Sequence, residues 1–243
     1  MSLNNEKPSE PSCRSLIINV LSLFVGSWGL SQATTLILPP SLKDAGHKQF
    51  LTNISVVATL ISNVWNISNY FIQRSNLNIN LLRVSNFISR HLVLPIALIL
   101  ETVVPIVYWP LRLFAMKLIM QGVSDGKSPV PLSVDLSIHF FPCIFLLCDH
   151  YLSGTGNKFM ISNRHAWFLV IILGMAYYKY LAFLINPSIG QKYPYPFLDV
   201  VEPYKSIIFV CVTTVAWSFY VFYQKFAPCS KSDDKSKITK KQN

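Results

Sequence analysis

The sequence predicts an all-α polytopic membrane protein: a bundle of six transmembrane helices with both termini in the cytosol. Three observations carry that expectation. Apolar stretches of roughly 20 residues, the length a helix needs to cross a bilayer, recur six times. Hydrophobic residues make up 51% of the chain and charged ones 13%, with a mean hydropathy of +0.39, a balance unlike that of a soluble domain. The basic residues, finally, are distributed unevenly between the two faces that six crossings would create.

Each span has its own stop signal. The first runs over residues 16–38 and ends at "LPPSLKDAGHKQ"; it is too long for a signal-peptide core and follows a polar arm, so it reads as a retained helix. The second covers 50–72 and the third 92–116, with "QRSNLNINLLRVSNFISRH" read as the loop between them. "SDGKSPVP" precedes the fourth span at 132–152 and "SGTGNKF" follows it. The fifth, 166–186, stops at "NPSIGQKYPYP", and the sixth covers 205–226. The chain divides into a polar arm at 1–15, a membrane domain at 16–226 and a basic tail at 227–243 that reads as disordered.

With six crossings, the face carrying both termini holds thirteen Lys and Arg and the opposite face six, Arg112 and Lys179 lying within spans, which places the termini in the cytosol. The formal charge of +10 therefore points to anionic lipid and not to nucleic acid, since six of the twenty-one basic residues crowd into the last nineteen positions, beside the last span. The five cysteines lack the paired spacing of a zinc site or a disulfide framework, and nothing in the pattern asks for a metal or cofactor. "LSGTG" departs from a rhomboid-type serine motif, and "CDHY" lacks the framework of a palmitoyltransferase.

An ionisable group at mid-bilayer costs on the order of 3 kcal/mol on insertion scales, so each one asks for a partner or a task. Glu101 falls in the third span, Asp135 and His139 in the fourth and Lys179 in the fifth, while Asp149 and His150 sit near the cytosolic end of the fourth and can be wetted there. Asp135 and His139 stand one helical turn apart and share a face, where a carboxylate can orient an imidazole or both can serve as interhelical glue. Lys179 is placed either to meet a substrate carboxylate or to pair with Glu101.

The second span carries Thr52, Ser55, Thr59, Asn63 and Asn66 at steps of three and four, a polar stripe that must turn inward. Thr52 sits at its start, and His139 lies roughly 10 Å inside the fourth span, on the same side under the six-span topology. A hydroxyl, an imidazole and a carboxylate make the nucleophile, base and orienter pattern of covalent hydrolysis. Ser55 and Asn63 are candidates to bind substrate, including as oxyanion donors. Two other readings stay open on these residues: a transporter or proton-coupled channel using Glu101, His139 and Lys179, and a scaffold whose stripe only packs helices.

"KQFLTNISVV" at 48–57, the histidine-bearing fourth span and "YPYPFLDVVEPYKSIIFVCVTT" at 193–214 resemble the androgen-induced gene family, which includes the androgen-dependent regulator of tissue factor pathway inhibitor (ADTRP), over residues 48–226. The resemblance implies a multipass hydrolase of the endoplasmic reticulum membrane that cleaves fatty acid esters of hydroxy fatty acids (FAHFA). It assigns the nucleophile to Thr52 in "FLT" and the base to His139 in "DLSIH". Asp135 and Leu136 depart from the asparagine and histidine that stand at those positions in animal members. The partners implied are a lipid ester and membrane lipids; the oligomeric state stays open.

Overall fold

The computed structural model describes residues 12–121 and 128–228. The arm at 1–11, Lys127 and all but the first two residues of the basic tail lie outside the described residues. Among those described there is no strand, and six long helical segments dominate. They are α1 (Cys13–Thr34), α2 (Leu51–Ile72), α3 (Ile79–Phe114), α4 (Leu132–Tyr151), α5 (Asn163–Leu184) and α6 (Tyr204–Lys225). Five of the six are long and apolar enough to cross a membrane. The exception is α2, which has the length but gives up hydropathy to its stripe, where Thr52, Asn53, Ser55, Thr59, Ser62, Asn63, Asn66 and Asn69 are all buried.

Two expectations about these helices need correction. The segment read as a loop between the second and third spans is helical from Ile79, because the Asn78 side chain accepts the Asn80 amide at 2.9 Å and starts the helix early. That helix continues through a π turn at Ile88–Val93 into Leu94–Phe114. The wider turn comes just before Pro95, which has no N–H to give and whose ring would crowd the preceding turn of an α-helix. The fourth span is likewise two helices, Leu132–His139 and Phe141–Tyr151, meeting at Phe140. Pro142 prevents a continuous ladder there, and the freed carbonyl of His139 accepts from Trp109 Nε1 at 3.2 Å.

Packing sets where the polar groups meet. On one side, α1 lies against α2 and α4, with Ala33, Val56, Val134 and Ile138 forming a small apolar cluster. The approach is closest at Gly29, where a Cβ would stand 2.6 Å from Ser137 Cβ. On the other side α3, the second half of α4, α5 and α6 share a larger core around Leu94, Leu98, Leu146, Val170 and Tyr220. The loop between α5 and α6 folds back over the start of α2, so Leu198 and Tyr195 pack beside Ala45, Leu181 and Ile185.

Toward the far end of α2, a second polar centre ties four helices together. Arg90 pairs with Asp149, and its Nη2 donates to Ser15 Oγ at 2.6 Å. Asn66 Nδ2 donates to Asn19 Oδ1 at 3.0 Å. Asp149 and His150, which by position can be wetted, are both buried, at 1% exposure. The π turn is what brings the Arg90 guanidinium inward to meet Asp149.

Candidate active site

Thr52 is the second residue of α2, at the polar end of a cavity of about 140 Å³. The walls are almost wholly apolar. They come from one face of α3 (Ile99, Leu100, Val103, Val104), from Leu169 and Leu173 of α5, and from Ile208, Val212 and Ala216 of α6. Around Thr52 the lining changes character, with Tyr108, Tyr177 and Tyr195 contributing their rings. Such a space suits a molecule that is mostly hydrocarbon with one polar linkage.

Tyr108 joins this cavity to the expected dyad. Its ring is stacked on that of His139, with centroids 3.5 Å apart and planes 4° from parallel. Its hydroxyl donates to Asp135 Oδ1. Asp135 Oδ1 is also 2.8 Å from His139 Nδ1, and Arg112 Nε donates to Oδ2. The carboxylate is completely buried yet fully compensated, by one fixed cation and two further donors. With Nδ1 held by Asp135, Nε2 is the ring nitrogen left to exchange a proton, and it makes no hydrogen bond among the described residues.

The structure thus joins Asp135 to His139 directly and brings Thr52 to the same region through Tyr108. Thr52 and His139 are not hydrogen-bonded to each other, and His139 is not part of the cavity lining. Their helices do touch: Val56, one turn beyond Thr52, packs in the same cluster as Val134 and Ile138.

The other expected site residues are placed elsewhere. Ser55 Oγ donates to the Thr52 carbonyl at 2.8 Å and lies beside Glu101, so it braces the first turn of α2 without lining the cavity. Asn63 donates to Ser22 Oγ at 2.8 Å and serves the contact between α1 and α2. Lys179 is exposed on α5 and outside the cavity lining. Glu101 is fully buried and bonded by Thr59 at 3.1 Å, with no ion pair to Lys179. Sequence reasoning missed Tyr108, Arg112 and Tyr195. Arg112 carried a signal, being a cation within the third span while the fourth held an acid, Asp135.

A family model described as FAR-17a/AIG1-like protein matches residues 16–227, the whole of the stretch expected to form the membrane domain. The chain belongs to the FAR-17a/AIG1-like family. Two fungal proteins are similar to it along most of their length. The UPF0641 membrane protein YHR140W of Saccharomyces cerevisiae is 57% identical over 220 residues, covering 90% of this chain and 92% of its own. The UPF0641 membrane protein PJ4664.05 of Schizosaccharomyces pombe is 27% identical over 183 residues, covering 75% of each. No solved structure matches. Membership in the FAR-17a/AIG1-like family agrees with the resemblance drawn from the sequence, and the relatives' names make the chain similar to known membrane proteins.

Proposed function

We propose that this chain is an intramembrane lipid esterase that hydrolyses fatty acid esters of hydroxy fatty acids, with Thr52 as nucleophile, His139 as general base and Asp135 orienting the imidazole. The observation that carries the reading is the position of Thr52: a buried hydroxyl at the polar end of an apolar cavity whose wall, Tyr108, is stacked on a histidine held by a carboxylate. Family membership supports it, as does the lipid-like character of the cavity. The reading includes six crossings with both ends in the cytosol, and residence in the endoplasmic reticulum.

In this scheme the acyl chain lies along the α3, α5 and α6 walls and its ester carbonyl stops beside Thr52. Thr52 Oγ attacks the carbonyl carbon as its proton passes to His139 Nε2. Catalytic hydrogen bonds tighten when substrate binds, and this one has to form as the ester seats. The tetrahedral intermediate collapses by breaking the ester C–O bond, and the imidazolium returns the proton to the departing hydroxy fatty acid. Water, deprotonated by the same ring, then attacks the acyl-threonine; the fatty acid leaves and Thr52 recovers its proton. Asp135, itself neutralised by Arg112, fixes the tautomer that leaves Nε2 free. A relay through Glu101, His139 and Lys179 is less well supported, because Lys179 is exposed and in contact with neither partner.

The test uses the full chain purified in detergent. Wild type is expected to hydrolyse a hydroxy-fatty-acid ester and to react with a fluorophosphonate, and Thr52→Ala and His139→Ala to lose both while keeping the wild-type elution profile and melting temperature. Equal hydrolysis and labelling by all three proteins would remove the catalytic assignment.

A further inference from the structure

Three tyrosines surround the polar end of the cavity, and their hydroxyl protons are not equivalent. Tyr108 gives its proton to Asp135, and Tyr177 gives its own to the Gln49 carbonyl at 2.8 Å. Tyr195 is different. Its hydroxyl oxygen accepts the Leu51 amide at 3.0 Å, at the first residue of α2, and faces the side chain and amide of Thr52. Among the described residues no hydrogen bond is donated by Tyr195, although the Tyr177 hydroxyl is also a neighbour.

The surroundings hold this hydroxyl in place. The Tyr195 ring is stacked on Phe197, 5.4 Å between centroids, and meets Phe50 edge-on at 6.0 Å. The N-cap residue Phe50 offers no side-chain bond to the first turn of α2, and the Tyr195 oxygen satisfies one of its orphan donors, the N–H of Leu51. An O–H whose oxygen already accepts from a helix N-terminal amide is a stronger donor, because each bond in such a chain polarises the next.

We propose that Tyr195 is a catalytic residue of the Thr52 site: its O–H donates a hydrogen bond to the ester carbonyl oxygen and to the oxyanion formed when Thr52 attacks. This rests on the esterase reading above. The proton is shared and not transferred, so the oxyanion collapses with the stoichiometry already given. Burial pushes the Tyr195 pKa up, which keeps the group a donor through the neutral range. The site then combines a nucleophile and an electrophilic donor at one helix end, with the base approaching from α4.

The experiment compares hydrolysis by wild type, Tyr195→Phe, Tyr177→Phe and Thr52→Ala, with a second Tyr195 variant carrying a ring-fluorinated tyrosine. Loss of one oxyanion donor typically lowers kcat by about 10²–10³-fold. That loss, with little change in KM, is expected for Tyr195→Phe, whereas Tyr177→Phe is expected to stay within about tenfold of wild type. The fluorinated variant keeps the hydroxyl and the cap but has a more acidic O–H. It is expected to change kcat and to move the alkaline limb of the rate profile to lower pH, even if Tyr195→Phe fails to fold. An inactive Thr52→Ala together with a fully active Tyr195→Phe, or a fluorinated variant with an unmoved profile, overturns the role of Tyr195 alone. An active Thr52→Ala overturns the esterase reading beneath it.

Discussion

Asp135 decides how the imidazole can behave. Three donors converge on it, from Tyr108, Arg112 and His139, and the carboxylate is fully buried. Replacing it with alanine leaves the Arg112 charge without its carboxylate and the ring without a guide. Removing one partner of a buried ion pair typically costs about 3–5 kcal/mol. We therefore expect Asp135→Ala to lower the melting temperature and to abolish most hydrolysis, read by thermal unfolding in detergent alongside turnover. Tyr108→Phe keeps the stack on His139 and removes one hydrogen bond to a carboxylate, worth about 1.5–3 kcal/mol; its kcat/KM should fall by roughly a hundredfold or less. A loss as large as that of Asp135→Ala would mean that the Tyr108 hydroxyl does more than steady the carboxylate. At this scale the sequence was informative where charge meets apolar surroundings. The Asp135 and His139 pair follows from i, i+4 spacing, whereas the Tyr108 stack depends on how α3 and α4 cross, which spacing along either helix does not encode.

At the level of helices, apolar length was enough to find the six long helices, and a polar stripe at steps of three and four was enough to turn α2 inward. The interruptions were harder to read. Pro142 interrupts a strongly hydrophobic run, and hydropathy alone continues the helix through Phe140. The polar segment at 73–91 looks like a loop until Asn78 caps it and Leu81, Leu82 and Val84 give it an apolar edge. Close helix contacts are similarly hidden, since Gly29 reads as one small residue among many. Its close approach to Ser137 gives a specific expectation: Gly29→Val forces α1 away from the helix that carries Asp135 and His139. Overpacking of this kind costs typically about 1–3 kcal/mol. The variant should melt earlier and lose activity, while Gly154→Ala, where an added Cβ meets no neighbour within 4 Å and only the positive φ is strained, should leave kcat near wild type. Equal kcat in both variants would show that α1 does not position the dyad.

Across the whole molecule, two buried polar centres divide the work. Thr52 and Asn66 are fourteen residues apart on one helix, about 21 Å along its axis. The Thr52 end holds the cavity and the dyad; the Asn66 end holds Arg90 and Asp149, which cross-link α1, α2, α3 and α4. The second centre was not legible because Arg90 counts, by position, as one more cytosolic basic residue; only the π turn draws it inward. Asp149→Ala should accordingly cost about 3–5 kcal/mol of stability and leave kcat of the folded fraction unchanged, measured by unfolding and by active-site titration. The central claim, that Thr52 is the residue acylated during turnover, is tested most directly by digesting the fluorophosphonate-labelled protein and locating the adduct by mass spectrometry. The account predicts modification on the peptide containing Thr52, absent from His139→Ala; an adduct on another residue, or equal labelling without His139, would contradict it.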